Sequence, residues 1–128
     1  VTVFLARYLV AEDAAQLAGL AAILGHCYPI WLKFQGGKGV ATFFGLLFVL
    51  AWPIGLAAGV TWLSTAALFK YSSLASLTAA AVIPIIVLLF PSNNLFLLSI
   101  SLMALIFWRH KENIIRLLNS TESKIGLK

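Results

Sequence analysis

The sequence predicts an all-α, polytopic transmembrane helix bundle with a short Pro-broken hairpin and an amphipathic C-terminal helix. Composition is the first reason: of 128 residues, 62% are hydrophobic and only 10% charged, with mean hydropathy +1.01. A soluble domain is typically about 45–50% apolar and about 25% charged, so there is too little polar surface here to cover a globule. Charge placement is the second, because Arg7, Glu12 and Asp13, then Lys33 and Lys38, then Lys70, then the residues from Arg109 onward are separated by uncharged stretches. The third is the tail, where Ile114, Ile115, Leu117 and Leu118 recur at helical spacing among charges.

Residues 1–9 read as the tail of an earlier span. Their apolar run is too short for a cleavable signal peptide and has no small-residue cleavage site behind it, and the chain starts with Val, as a fragment would. Residues 14–32 carry no charge and as a helix would reach ~28 Å, close to the ~30 Å hydrocarbon thickness. Residues 40–69 are also uncharged, too long for one ordinary span and too short for two. Pro53, which removes a backbone donor and clashes with the preceding turn, is the natural break. The two arms, 40–51 and 53–69, would be ~18 Å and ~26 Å long, and the short one is expected to enter protein rather than span lipid alone. Residues 74–90 form a further crossing, bent or opened at Pro84. Residues 95–108 form a shorter one after a turn at Pro91, Ser92, Asn93 and Asn94. Residues 109–119 should continue as an amphipathic helix under the membrane face.

Counting hairpins places every Lys and Arg except Arg7 on one face, which the positive-inside rule assigns to the cytoplasm. Trp31, Trp52 and Trp108 fall at predicted interfaces, whereas Trp62 falls mid-span and is expected to pack. Lone Cys27 forms no internal disulfide. No fixed-period repeat, low-complexity segment or long linker divides the chain, so residues 1–128 read as one membrane domain or part of one. No nucleic-acid partner is expected, and oligomeric state is not legible.

Gly36, Gly37, Lys38 and Gly39 lie directly before the helix expected from Val40. Glycines let backbone N–H groups approach an anion, the free amides of a helix N-terminus point at it, and Lys38 adds a full charge. The alternative is a flexible interfacial turn with a snorkelling lysine. A nucleotide P-loop fails on spacing, since Leu32 and Gly39 stand where Gly and Ser or Thr are needed. His26, ionisable and near a span end, is either functional or a neutral ring hydrogen-bonded to a helix carbonyl. Ser73 is placed to cap the next helix, or to hydrogen-bond a phosphate. His110 and Asn113, three apart, look the same way, while Glu112 and Arg116 make an i,i+4 pair. Asp is absent five residues after either histidine, where Trp31 and Ile115 stand, which excludes a His-x-x-x-x-Asp acyltransferase motif. Two histidines and one cysteine, apart except for adjacent His26 and Cys27, make no zinc site, and no metal or cofactor is expected.

Gly25-His26-x-Tyr28-Pro29 with Phe34-x-Gly36-Gly37-Lys38-Gly39-Val40-Ala41-Thr42, then Ser73-Leu74-Ala75-Ser76-Leu77, then His110-x-x-Asn113-Ile114-x-Arg116-Leu117-x-x-x-x-Glu122-x-Lys124-Ile125-Gly126 resemble the bacterial PlsY family. These are acyl-phosphate:glycerol-3-phosphate acyltransferases of the inner membrane. Three motifs in this order and spacing nearly span the chain. The resemblance implies that Gly36, Gly37, Lys38 and Gly39 bind glycerol 3-phosphate, that His110 and Asn113 are needed for activity, and that Glu122 is structural. It also implies that Ser73 lines the same polar site, with His26 and Thr42 at motif positions of less definite role. The family's N-terminal span and first cytoplasmic loop, of the form S-G-N-x-G-A-T-N-x-x-R, have no counterpart in the chain. Where the family often has Gly before the final Glu, this chain reads Asn119-Ser120-Thr121-Glu122.

The implied reaction moves an acyl group from acyl phosphate to the sn-1 hydroxyl of glycerol 3-phosphate at the bilayer, giving lysophosphatidic acid for phospholipid synthesis. It needs positioning and charge neutralisation more than acid assistance, because phosphate already leaves easily. Lys38, loop amides, Lys70 and Arg109 are the candidate donors. His110 is either general base or phosphate hydrogen-bond partner, the second being favoured because no carboxylate is spaced to orient its ring. The rival readings are a non-enzymatic membrane scaffold, a small transporter subunit, or an inactive truncated homologue. A transporter would put ionisable groups near the bilayer midplane, whereas here they gather on one face.

Overall fold

A computed structural model describes residues 1–33, 36–89 and 94–126. Its helices are α1 (Thr2–Leu9), α2 (Glu12–Cys27), α3 (Val40–Leu50), α4 (Trp52–Phe69), α5 (Ser72–Leu89), α6 (Phe96–Arg109) and α7 (Lys111–Leu118), with one 3₁₀ turn at Ile30–Leu32. The segments Glu12–Leu32, Trp52–Phe69 and Ser72–Leu89 are long and apolar enough to cross a bilayer, and α3 and α6 are shorter apolar helices. The chain is thus an all-α, polytopic membrane bundle, as its composition predicts. Phe34 of the loop motif and the turn expected at Pro91, Ser92 and Asn93 lie outside the described residues.

The first crossing stops sooner than its apolar run suggests. Helix α2 ends at Cys27, because Tyr28 precedes Pro29 and takes φ −132° and ψ 58° instead of a helical conformation. The Pro53 hairpin forms as expected. Helix α3 ends at Leu50, Ala51 turns out at φ −153° and ψ 89°, and Pro53 falls in the first turn of α4, where its missing N–H leaves no bond unmade. Gly55 closes the hairpin: a Cβ there would sit 2.8 Å from the Phe48 backbone nitrogen. At ~16 Å, α3 cannot traverse the hydrocarbon alone, and its last carbonyls have no partner within the helix. Arg7 reaches two of them, donating to Val49 O at 2.8 Å and Leu50 O at 2.9 Å while Glu12 holds the same guanidinium at 2.6 and 2.7 Å.

Helix α5 is the centre of the bundle and packs between α4 and α6. Buried Ala75, Ser76, Ala79 and Ala80 let its neighbours approach closely. Hydroxyls along the spans bond back one turn, Thr61 to Ala57 O, Thr65 to Thr61 O and Thr78 to Leu74 O, so that they remain satisfied in lipid. Phe43, Ile23, Ile83, Leu102 and Ile106 form the tightest part of the core. Trp31, Trp52 and Trp108 are exposed.

Candidate active site

The ends of α2, α4 and α6, the starts of α3 and α5, and all of α7 meet at one end of the bundle. Three glycines of the loop before α3 lie against α2, which leaves no room for a side chain at Gly36 or Gly39. A Cβ on Gly36 would run into the carbonyl oxygens of His26 and Cys27, one on Gly37 would lie 2.8 Å from His26 Nε2, and one on Gly39 would lie 2.9 Å from Cys27 Sγ. Gly39 also takes φ +78°, the left-handed region that favours glycine. The loop is therefore a packed turn rather than a loose one. It ends at the N-terminus of α3, where no side chain caps the free amides.

A polar chain links this loop to the tail. Lys38 Nζ donates to Asn113 Oδ1 at 2.5 Å, Asn113 Nδ2 donates to Glu122 Oε1 at 2.6 Å, and Ser73 Oγ donates to the same oxygen at 2.6 Å. Arg116 Nε closes the other side of the carboxylate at 2.7 Å. Burial alone would raise the Glu122 pKa, but the hydrogen bonds from Ser73, Asn113 and Arg116 and the Arg116 charge outweigh it and bring it down to about 2. An ionised carboxylate only accepts hydrogen bonds, which fixes the Asn113 amide with its nitrogen toward Glu122 and its oxygen toward the Lys38 ammonium.

Two sequence expectations are corrected here. Ser73 lies inside the first turn of α5, which begins at Ser72, and its hydroxyl goes to Glu122 rather than capping the helix. Arg116 pairs with Glu122, and among the described residues no ion pair joins it to Glu112. The tail can fold back because Asn119 and Ser120 end α7 with Ser120 N–H on Leu117 O and Thr121 N–H on Arg116 O, Ser120 taking φ +57°. Ile125 N–H then reaches Lys70 O at 2.6 Å and Lys124 lies over the Tyr71 ring.

His110 is 2% exposed, at the junction of α6 and α7. Burial lowers its pKa below the ordinary 6.5; the bond to Ile106 and Glu122 oppose this, and the Lys38 and Arg109 charges add to it. Its Nδ1 lies 2.8 Å from Ile106 O. A neutral ring must put its one proton there, which leaves Nε2 as an acceptor. That favours the proton-accepting role over the phosphate-donating one preferred on sequence grounds. A helix carbonyl orients the ring where no carboxylate does.

Lys38, Val40, Trp62, Ser72, Ser73, Ser76, His110 and Asn113 line one cleft of about 230 Å³. Of the predicted site residues, Lys38, Ser73, His110 and Asn113 line it together, with Glu122 behind and Gly36, Gly37 and Gly39 shaping the loop beside it. Thr42 does not; it lines a separate recess with Val1, Gly19 and Gly45. Exposed His26 lies under Gly37 without lining the cleft. Trp62, expected only to pack, lines the cleft and donates from Nε1 to Ser76 Oγ at 3.1 Å. The tight turn at Lys70 and Tyr71, which brings α4 against α5, was its available signal. Arg109, a candidate phosphate donor, instead donates to Gly36 O at 2.8 Å and Gly37 O at 3.2 Å and lies 5.0 Å over the Tyr28 ring.

The family described as glycerol-3-phosphate acyltransferase matches residues 1–120. The chain belongs to this family. It is similar to the family's protein from Dinoroseobacter shibae, 60% identical over 126 residues that cover 98% of this chain and 62% of that one. It is likewise similar to that of Caulobacter vibrioides, 54% identical over 131 residues, 100% of this chain and 60% of the relative. The chain thus spans about three-fifths of the length of the curated relatives it matches. Among solved structures it resembles PlsY (YgiH), an integral membrane glycerol 3-phosphate acyltransferase, in its glycerol 3-phosphate form. That match has a TM-score of 0.91 and 35% identity, covering 97% of this chain and 64% of the other. The lysophosphatidic acid form of the same protein matches with the same TM-score and identity.

Proposed function

We propose that the protein to which this chain belongs transfers a fatty acyl group from acyl phosphate to the sn-1 hydroxyl of glycerol 3-phosphate, at the cytoplasmic face of a bacterial inner membrane. The carrying observation is the cleft that gathers the Lys38 ammonium, the Asn113 amide and the His110 ring beside uncapped helix amides. It is smaller than the about 300–1,000 Å³ of drug-sized pockets, in keeping with a compact polyol phosphate. The glycerol 3-phosphate and lysophosphatidic acid forms of the similar PlsY support substrate and product. The gathering of Lys33, Lys38, Lys70, Arg109, Lys111, Arg116 and Lys124 at the cleft end supports the cytoplasmic orientation.

In this reading Lys38 and the loop amides hold the glycerol 3-phosphate, each charge-assisted hydrogen bond contributing about 1.5–3 kcal/mol. Asn113 holds Lys38 in place, and Glu122 holds Asn113. The sn-1 oxygen attacks the acyl carbonyl carbon, a new C–O ester bond forms, and the bond to the phosphate oxygen breaks with its electron pair leaving on phosphate. The hydroxyl proton passes to His110 Nε2. Residues 1–128 act as one acyltransferase domain or part of one, with the bilayer holding the fatty chain. The test is acyl transfer from palmitoyl phosphate to glycerol 3-phosphate in membranes carrying the intact protein, with and without Lys38→Ala. Full activity in the variant, or none in the parent, would reject the reading.

A further inference from the structure

Arg109 is used differently from Lys38 and Arg116, the two cations that join the polar chain at this end of the bundle. Lys38 donates to a side chain and Arg116 pairs with a carboxylate, whereas among the described residues Arg109 joins no ion pair and gives two of its N–H groups to backbone carbonyls of the loop. Its flat face rests on Tyr28, which fixes the plane from which those bonds leave.

The consequence follows from peptide geometry. No peptide bond among the described residues is cis, and in a trans peptide unit the C=O and the N–H point in opposite directions. The unit whose oxygen is Gly36 O carries the N–H of Gly37, and the unit whose oxygen is Gly37 O carries the N–H of Lys38. With both oxygens turned to Arg109, both N–H groups are turned away from it. Glycines have little intrinsic preference for one peptide orientation over another, so something outside the loop must choose.

We propose that Arg109 is a positioning residue for the loop: it pins the Gly36 and Gly37 carbonyls so that the Gly37 and Lys38 amides stay turned outward as anion donors, and it does not itself bind the phosphate. The proposal rests on the acyltransferase reading for its ligand. Lysine in its place keeps the charge but lacks the planar fork that serves two carbonyls and stacks on Tyr28.

The experiment compares parent, Arg109→Lys and Tyr28→Leu in the intact protein in lipid nanodiscs. It measures steady-state acyl transfer and the backbone ¹⁵N order parameters of Gly37 and Lys38 without substrate. Arg109→Lys should raise KM for glycerol 3-phosphate about tenfold, the effect of one net hydrogen bond, with kcat within about threefold. It should also lower the Gly37 and Lys38 order parameters in the substrate-free protein. Tyr28→Leu should do both more weakly. A raised KM with unchanged order parameters would make Arg109 a direct phosphate ligand and overturn the proposal, as would no change in either quantity. Should Arg109→Lys lower order parameters throughout the protein, Tyr28→Leu decides alone, and unchanged loop values there count against the clamp. Absence of acyl transfer in the parent would reject the function, while the relaxation comparison would still judge the clamp.

Discussion

Replacing Glu122 by Gln tests the polar chain at its anchor. The carboxylate side chain is 6% exposed and receives Ser73, Asn113 and Arg116. Lowering its pKa from 4.5 to about 2 corresponds to roughly 3 kcal/mol of preference for the ionised folded form. Because the folded value is depressed, this stabilisation is complete above pH 4.5 and is lost as pH falls through about 2. Glutamine keeps the shape but carries one oxygen and one NH₂. Either the oxygen faces Ser73 and Asn113 and the NH₂ meets the Arg116 donor, or the amide flips and meets the other two. Arg116 is half-solvated, so the expected loss is about 2–3 kcal/mol, near the penalty for one unpaired charged hydrogen bond. Thermal unfolding of the intact protein in detergent should show a Glu122→Gln variant less stable at pH 7. It should also lack the parent's fall in stability between pH 4.5 and 3. Activity should drop as well, since the Asn113 amide would no longer be held with its oxygen toward Lys38. Parallel pH profiles for parent and variant would refute this account of Glu122.

Gly36→Ala should cut acyl transfer at least about 100-fold or prevent folding, because its Cβ meets the backbone carbonyls of His26 and Cys27, which cannot move as a flexible side chain would. His110→Ala should lower kcat. In the parent, kcat/KM should hold between pH 8 and about 6.5 and fall only below that, where the buried ring, its pKa lowered, becomes protonated; a variant retaining the same acid limb would exclude His110 as its source. Ser120→Gly should stabilise by at most about 1 kcal/mol, read as a rise in Tm, because relief of roughly 1–2 kcal/mol of left-handed strain at φ +57° exceeds the unfolded-chain entropy that glycine restores. Arg7→Ala should destabilise by about 1–3 kcal/mol, leaving Val49 and Leu50 carbonyls and Glu12 without their donor.

Lengths and uncharged runs made the spans legible, since lipid tolerates few alternatives to the helix. Pro53 and the glycine–lysine loop punctuated the hairpin and its entry. What was not legible depended on choices between equal partners. Arg116 has Glu112 one turn away on its own helix, yet it takes Glu122 because Ser120 turns the tail back. Ser73 could cap α5, but the helix begins one residue earlier, and the Ser73 hydroxyl proton goes to the incoming Glu122 carboxylate. Thr42 shares a motif with Lys38, but Lys38 lies in the loop before α3 whereas Thr42 is inside the helix and lines another recess. Arg109 was grouped with the phosphate donors because its charge was visible and its carbonyl partners were not.

Helix α3 shows how these details combine. It is too short to hold its own depth in a bilayer, so neither lipid nor length fixes where its N-terminal loop sits. Its two ends are instead held by arginines from different helices. Arg7 of α1 takes its last carbonyls, and Arg109 of α6 takes the carbonyls of the loop that precedes it. Gly55 on α4 and Gly36 against α2 then set its lateral packing by close backbone approach. A half-span fixed in this way carries the uncapped amides and Lys38 to one height against α7, where Asn113 meets them. Loosening either arginine should therefore move the loop as a unit. The Arg7→Ala and Arg109→Lys changes, which act at opposite ends of α3, should both raise KM for glycerol 3-phosphate. Raised KM from Arg109→Lys alone would mean that the loop, and not the helix, is what the clamp positions.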